Sequence, residues 1–141
     1  MDEFSDNVSI KPVQSALAEE LKNLYKDAGW WESSYDLNPG FLDDIVKDSA
    51  VFVGAFDKKK LIGMGRALSD LVSDAYIQDV TVLKAYRGKG LGKKIIRALI
   101  KELQKKGVDW IGLVAEPGTA PFYKALGFDE MKEHIPMKYK D

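Results

Sequence analysis

The chain contains no cysteine and only one histidine, His134. The lack of cysteine excludes disulfides, thiolate metal sites and a cysteine acyl-enzyme. A single histidine also argues against a histidine-based zinc site, so the sequence predicts no metal. We interpret His134, near the end of the chain, as a structural or exposed residue rather than a catalytic one.

Long apolar runs are also missing. No run approaches the ~20 residues that a membrane-spanning helix needs. The first residues, MDEFSDNVS, lack the basic start and apolar core of a secretory signal. We therefore expect a cytoplasmic protein without a membrane partner. The length of 141 residues, with 45% hydrophobic and 30% charged residues, predicts one soluble domain, residues 1–141.

The net charge is only −1, but the basic residues are unevenly distributed. Between residues 84 and 106, nine lysines and arginines stand against one acid, Glu102, an excess of eight positive charges. Such a segment attracts anions. The aromatic residues are not interleaved with the basic ones and no nucleic-acid motif occurs, so we expect no nucleic-acid partner. Lys101, Lys105 and Lys106 fit the solvated face and last turn of a helix.

The most informative segment combines a strand pattern, AYIQDVTVL, with the turn YRGKGLGKK and a helical pattern that ends at Gly107. Gly88, Gly90 and Gly92 leave the turn without side chains, so that backbone N–H groups can point outward at the positive end of the helix dipole. The pattern predicts a pyrophosphate cradle. Basic side chains surround it: Lys89, Lys93, Lys94 and Arg97.

Two motifs resemble the signatures of the GNAT superfamily of N-acetyltransferases. RGKGLG, residues 87–92, follows a strand ending in VTV and is similar to the coenzyme A motif R/Q-x-x-G-x-G/A of that family. APFYKALGF, residues 120–128, resembles the family's FYxKLGF segment. The resemblance implies acetyl-CoA as cosubstrate, with its pantetheine arm paired to a splayed strand edge. It assigns cofactor binding to Val80, Thr81, Val82, Arg87, Gly88, Lys89, Gly90, Leu91, Gly92 and Lys93.

A dinucleotide-binding Rossmann domain is the closest alternative, since it also places glycines between a strand and a helix. Glu116 lies at a tolerable distance for its ribose contact. The spacing here is G-x-G-x-G rather than G-x-G-x-x-G, however, and the preceding strands are linked by hairpins instead of helices. Both features favour the acetyltransferase resemblance.

The resemblance assigns the general acid to Tyr123, which would protonate the departing thiolate. A phenol of pKa ~10 donates to a thiol of pKa ~8.5 uphill by about 2 kcal/mol, which a positioned proton transfer tolerates. The alternative role is that of an ordinary aromatic residue in a short helix. Because Phe122 can fill the core in its place, the sequence favours the functional role for Tyr123.

Asp79 and Glu116 are both candidates for the general base. Asp79 lies in mid-strand beside the expected thioester, where a carboxylate is unfavourable unless it is paired or used. Glu116 ends the next strand and stands where many family members have asparagine, seven residues before the tyrosine. Either carboxylate could accept a proton, through a water, from an ammonium of pKa ~10.4. The sequence is equally compatible with an amine that arrives neutral and with a structural role for each acid.

Three aromatic residues, Trp30, Trp31 and Tyr35, cluster between the first two helices, with several acids close in sequence. Aromatic rings and carboxylates suit a cationic amine. A hydrophobic plug or a homodimer surface explains them equally well. The predicted function is direct acetyl transfer, in a ternary complex, to a small cationic or aromatic amine. The alternatives are a protein lysine or N-terminus as acceptor, and a non-catalytic acyl-CoA-binding module.

Hydrophobic periodicity and turn residues predict the element order β-α-α-β-β-β-α-β-α-β, an α+β fold. With the resemblance, this gives a mostly antiparallel sheet of about six or seven strands flanked by four helices. The first helix is expected over about 13–28, and the second after an Asn38 N-cap with Pro39 in the first helical position. The late elements are a strand over 109–115, a helix over 118–126 and one or two closing strands within 128–139.

Overall fold

The computed structural model describes residues 7–141, which form one mixed sheet with four helices. The strands are β1 (Val8–Pro12), β2 (Val51–Asp57), β3 (Lys60–Ser69), β4 (Asp74–Val82) and β5 (Trp110–Gly112). The helices are α1 (Ala18–Asp27), α2 (Phe41–Lys47), α3 (Leu91–Lys105) and α4 (Ala120–Lys124). The α+β class and the element order as far as α4 are confirmed.

The strands follow their order in the chain across the sheet, β1-β2-β3-β4-β5. The first three pairings are antiparallel, and the last, between β4 and β5, is parallel. Parallel neighbours need a crossover connection, and α3 provides it here. This arrangement places the glycine turn at the end of β4 and the start of α3.

Each face of the sheet packs against its own helices because inward and outward side chains alternate along the strands. On one face α3 buries Ile95, Ile96, Leu99 and Leu103 against residues such as Val53. On the other face α1 and α2 cover Phe52, Leu61 and Met64. A methyl group built on Gly65 would come within 2.8 Å of the Ile95 side chain, so α3 depends on glycine for its close approach to β3.

The expectation of six or seven strands is wrong for the described residues, which contain five. The expected closing strands within 128–139 are missing, and side chains from residue 129 onward are exposed. An alternating pattern defines an apolar face, but a strand also needs a partner. Glu133, with a φ of +65°, interrupts the extended backbone, and Pro136 has no N–H to donate.

Several boundaries also differ from expectation. The first helix starts at Ala18, because the N–H of Val13 bonds to the carbonyl of Phe52 at 2.9 Å and keeps that segment extended. The second helix begins at Phe41, with Gly40 rather than Asn38 as its N-cap. The fifth strand covers only Trp110–Gly112. Within residues 7–141, none of the helices combines the length and apolar character that a membrane crossing requires.

Candidate active site

The glycine turn lies at the mouth of a cleft. Gly88 and Gly90 both have a φ of +80°, a conformation that side chains other than glycine rarely adopt, and Gly90 is the N-cap of α3. The cleft has a volume of about 340 Å³. Its lining residues are Val82, Tyr86, Arg87, Gly88, Gly90, Leu91, Gly92, Lys93 and Phe122.

Several features of the cleft suit an anionic ligand. A methyl group built on Gly88 or Gly90 would meet no atom within 4 Å, so the backbone of the turn is open to an approaching ligand. The first turn of α3 contains no acid, and its N-terminal amides carry the positive end of the helix dipole. Lys93 adds a side-chain charge to the lining. The turn therefore combines an open backbone, the amides of a helix N-terminus and a lysine, which suits a bound anion.

Arg87 is anchored to the end of β4. Its Nε donates to the carbonyl of Val82 at 2.8 Å, and its guanidinium lies 3.6 Å from a carboxylate oxygen of Asp27 at the end of α1. The same oxygen accepts the backbone N–H of Lys84 at 2.9 Å. Asp27 therefore fixes the segment that leads into the glycine turn.

A bulge interrupts β4 beside the cleft. Met64 pairs with Thr81 and Arg66 pairs with Gln78, so β4 contains one more residue than β3 over this interval. Asp79 falls inside it, with a φ of +55°. Bulges redirect side chains and often lie next to active sites.

The other edge of β4 is largely unpaired among the described residues. β5 pairs only with Asp74–Tyr76, so the stretch from Ile77 to Val82 has no strand partner on that side. Val82 also lines the cleft. Residues 80–82, predicted to bind the cofactor arm, thus form a strand edge that leads to the glycine turn.

The carboxylate of Asp79 binds two other side chains of the protein. One of its carboxylate oxygens accepts the hydroxyl of Tyr25 and the Nε of Arg66, each at 2.8 Å. Burial and the negative charge of Asp79 raise the pKa of Tyr25 well above its usual value near 10. The three side chains join α1, β3 and β4 at the bulge.

Tyr123 does not line the cleft itself but packs against a residue that does. Its ring centroid is 5.0 Å from that of Phe122, which lines the cleft, and 5.9 Å from that of Phe128. Burial, followed by the negative charge of Glu116, raises the pKa of Tyr123. Glu116 is exposed, and its carbonyl accepts the N–H and the hydroxyl of Thr119, the N-cap residue of α4. The carboxylate of Glu116 thus lies close enough to Tyr123 to act on its proton equilibrium.

The aromatic residues divide into two groups. Trp30 packs against Tyr25, with ring centroids 5.9 Å apart, and so adjoins the Asp79 cluster. Trp31 and Tyr35 instead contact each other and Phe41. The ammonium of Lys22 lies 5.3 Å from the Trp31 ring centroid and 3.0 Å from a carboxylate oxygen of Asp36. The protein's own lysine therefore occupies the cation position predicted there.

Four residues of this region were not identified from the sequence. Tyr86 and Phe122 line the cleft, and Tyr25 and Arg66 hold Asp79. The position of Tyr86 directly before the glycine motif was a usable signal. Nothing in the sequence pairs Tyr25 or Arg66 with Asp79, since the partners lie 54 and 13 residues away.

Comparisons with known proteins agree with this geometry. The model of the Acetyltransferase (GNAT) family matches residues 13–128. The uncharacterized N-acetyltransferase ycf52 of Pyropia yezoensis is 31% identical over 137 residues, which cover 91% of this chain and 76% of that protein. Histone acetyltransferase TAP1 of Glycine max is 43% identical over 79 residues, covering 56% of this chain and 34% of that protein.

Solved structures share the fold. A GNAT family acetyltransferase from Streptococcus pneumoniae superposes with a TM-score of 0.80 at 22% identity, covering 95% of this chain and 98% of that one. AAC(6')-Iy, in complex with the bisubstrate analogue CoA-S-monomethyl-acetylneamine, gives a TM-score of 0.75 at 19% identity, with 95% and 99% covered. With the family model matched over most of its length, the chain belongs to the GNAT family and is an acetyltransferase.

Proposed function

We propose that the protein moves the acetyl group of acetyl-CoA to a primary amine by direct transfer in a ternary complex. One observation carries the proposal: the unpaired edge of β4 ends at Val82, which lines the cleft at the glycine turn. A ligand with an extended amide arm and a diphosphate matches both parts. Its arm would add to the strand edge, and its diphosphate would meet the N-terminus of α3.

The cofactor residues divide between these two parts. The backbone of Val80, Thr81 and Val82 would pair with the arm and polarise the thioester carbonyl. The turn residues Gly88, Lys89, Gly90, Leu91, Gly92 and Lys93 would hold the diphosphate, with Arg87 beside them. The Arg87 guanidinium, already tied to Val82 and Asp27, also braces the junction between the two parts.

Tyr123 is proposed as the general acid. As the amine nitrogen bonds to the acetyl carbon and the carbon–sulfur bond breaks, Tyr123 would give its phenolic proton to the sulfur. The phenol is protonated in the neutral range, and its raised pKa makes the transfer to the thiolate more uphill than for an ordinary tyrosine, so the transfer depends on the positioning of the two groups. Its neighbour Phe122 contributes to both the cleft wall and the core, and so sets the position of Tyr123.

Between the two acids, the geometry favours Glu116 as the group that serves the incoming amine. Asp79 already accepts hydrogen bonds from Arg66 and Tyr25 through one oxygen, so that oxygen is occupied by protein partners. Glu116 is exposed beside Tyr123. It would take the ammonium proton through a water, and Asp79 would position β4.

The acceptor is proposed to be a small cationic or aromatic amine. Trp30, which packs against Tyr25, would supply an aromatic wall beside the Asp79 cluster. Contacts of the acceptor with Trp31 and Tyr35 would require its ammonium to displace Lys22. A neighbour of TM-score 0.73 was solved as an aminoglycoside acetyltransferase in complex with sisomicin, so this fold accepts polycationic amines in that protein.

A protein lysine is the second candidate acceptor, because one protein that is similar to part of this chain is named a histone acetyltransferase. The test is release of free CoA from acetyl-CoA with a panel of polyamines, aminoglycosides, aromatic amines and lysine peptides. Turnover with small amines supports the proposal, and turnover with peptides alone supports the second candidate. Binding of acetyl-CoA without turnover of any amine would favour a non-catalytic module. A cytoplasmic location remains a prediction, since one relative from Arabidopsis thaliana is named chloroplastic.

A further inference from the structure

The bulge at Asp79 changes the side-chain alternation of β4. Over this interval Asp79 and Val80 lie opposite a single residue of β3. Before the bulge Ile77 packs in the core beneath α3, and after it Val80 and Val82 pack in the same core. Because successive side chains of a strand point to opposite faces, an unbroken strand would bring Asp79 itself into that core. The bulge therefore places Val80 under α3 and turns Asp79 toward the other face of the sheet.

The bulge also decides which backbone groups of β4 point to its free edge. The N–H of Leu83 bonds to the carbonyl of Ile62 at 2.9 Å, so this amide points toward β3. The carbonyl of Val82 points the other way, where it accepts the Nε of Arg87 at 2.8 Å. These directions alternate along an antiparallel strand. By the same alternation the N–H of Val80, two residues earlier, faces the free edge.

The backbone of Asp79 is strained. Its φ of +55° lies in the left-handed region, which residues other than glycine rarely adopt. Glycine is the residue that bulges with this conformation commonly use. Strained residues persist only where the surrounding structure holds them, and they are concentrated at functional sites. A carboxylate in place of glycine therefore indicates that its contacts hold the bulge.

Tyr25 and Arg66 supply those contacts, and the three side chains are here called the clamp. The hydroxyl of Tyr25 and the Nε of Arg66 donate to the same oxygen of Asp79, each at 2.8 Å. Tyr25 is 8% exposed, and the side chains of Arg66 and Asp79 are 16% and 25% exposed. Hydrogen bonds to an ionised group are strong, and partial burial strengthens them further. The clamp thus holds the bulge from α1 and from β3 at once.

We propose that Tyr25 and Arg66 are positioning residues for acetyl transfer: through Asp79 they hold the bulge, and the bulge aims the N–H of Val80 at the thioester carbonyl. This inference rests on the proposed function, because it requires acetyl-CoA to bind along the free edge of β4. As the amine nitrogen bonds to the acetyl carbon, the carbonyl oxygen gains negative charge, which a fixed N–H stabilises. An amide that is free to move would do so less well.

Steady-state kinetics, with an amine found in the CoA-release panel, test the two donors. Tyr25→Phe removes one hydrogen bond but keeps the ring contact with Trp30. We expect kcat to fall about threefold to tenfold, with both KM values nearly unchanged, because only the aim of the amide changes. Arg66→Met should lower kcat at least as much. Tyr76→Phe is the matched control, since Tyr76 lies in β4 but is 51% exposed, and it should leave kcat unchanged.

Substitutions of Asp79 separate positioning from proton transfer. Asp79→Gly accepts the φ of +55° but loses the carboxylate, so kcat should fall about tenfold or more. Asp79→Asn keeps an oxygen for the Tyr25 hydroxyl and tolerates this backbone, so it should retain most of kcat with an unchanged pH profile. Adding Tyr25→Phe to Asp79→Gly should cost nothing further. Additive losses, or an unchanged kcat in both Tyr25→Phe and Arg66→Met, would overturn the proposal.

Amide NMR tests the clamp without turnover. Acetyl-CoA should shift the amide resonances of Val80 and Gly90 in the unaltered protein. The same shifts are expected in Leu103→Ala, which opens a cavity near the C-terminus of α3 and lowers stability without contact with the clamp. In Asp79→Gly, Gly90 should still respond and Val80 should not.

The NMR outcomes distinguish the two proposals. If neither amide responds in the unaltered protein, acetyl-CoA does not bind as proposed, and the proposed function fails together with the inference. If Gly90 responds but Val80 does not, or if the Val80 response survives in Asp79→Gly, only the role of the clamp is refuted.

Discussion

Gly90 offers a test in which backbone strain and ligand contact can be separated. Its φ of +80° means that Gly90→Ala forces alanine into the left-handed region, at a cost of about 1–2 kcal/mol. The new methyl group meets no atom within 4 Å, so no steric clash adds to this cost. For a domain of this size we expect the melting temperature to fall by about 3–8 °C.

We expect Gly90→Ala to weaken acetyl-CoA binding more than it lowers the stability of the free protein. At one hundred times its dissociation constant, acetyl-CoA adds about 2.7 kcal/mol to the stability of the protein that binds it. The Gly90→Ala methyl group would lie in the cradle, and each tenfold loss of affinity removes about 1.4 kcal/mol of that gain. Thermal denaturation without acetyl-CoA measures the cost of the backbone strain, and denaturation with acetyl-CoA measures the loss of ligand binding. NAD, at the same concentration, should give no shift.

Gly107 provides the matched control. Its φ is +91°, its surroundings are equally open, and it follows the C-terminus of α3, at the opposite end of that helix from the cleft. Gly107→Ala should therefore lose similar stability but keep the full shift with acetyl-CoA. If the two variants lose the shift equally, or neither loses it, the cradle is not at the glycine turn. A shift with NAD would instead favour a dinucleotide site.

The other predictions concern side chains. Tyr123→Phe, which keeps the ring contacts with its neighbours, should lower kcat about tenfold or more and leave acetyl-CoA affinity nearly intact; unchanged turnover would remove the acid role. Glu116→Gln should raise the amine KM or shift the alkaline rise of kcat/KM without loss of stability, whereas Asp79→Asn should lower the melting temperature, since it weakens the contact with Arg66. If Glu116→Gln changes only acetyl-CoA affinity, Glu116 contacts the cofactor rather than the amine. Tyr25 has a raised pKa in the folded state, so unfolding releases its proton above about pH 10 and stability falls there. Urea titrations should show a shallower alkaline decline for Tyr25→Phe.

The fold was predictable wherever a segment contained its own signal. Hydrophobic periodicity predicted α1, and turn residues predicted the hairpins before the glycine turn, because these features depend on neighbours in sequence. The prediction of closing strands was wrong because a strand depends on a partner that is distant in sequence. Alternation in residues 128–139 defines an apolar face, but a strand forms only when a partner strand accepts its hydrogen bonds. The sequence does not state where that partner is.

The candidate site also has local features that the sequence predicts and long-range contacts that it does not. The cradle is local, since three glycines and the start of a helix lie within a few residues, and its geometry could be anticipated. The partners of Asp79 could not, because Tyr25 and Arg66 reach it from other elements of the fold. A carboxylate in mid-strand must be paired or used, and sequence alone cannot decide between those outcomes. The observed ion pair is the reason to prefer Glu116 as the base.

The short pairing between β4 and β5 affects both parts of the proposed site. Since the two strands pair only through Asp74–Tyr76 and Trp110–Gly112, β4 keeps a free edge that leads to the cleft. Within residues 7–141, β5 has a partner strand on one side only, so few backbone hydrogen bonds hold it in place. Residues 113–116, which lead to Glu116, depend on β5 for their position. β5 therefore leaves the edge of β4 open, where the cofactor arm is proposed to bind, and also positions the segment that contains Glu116.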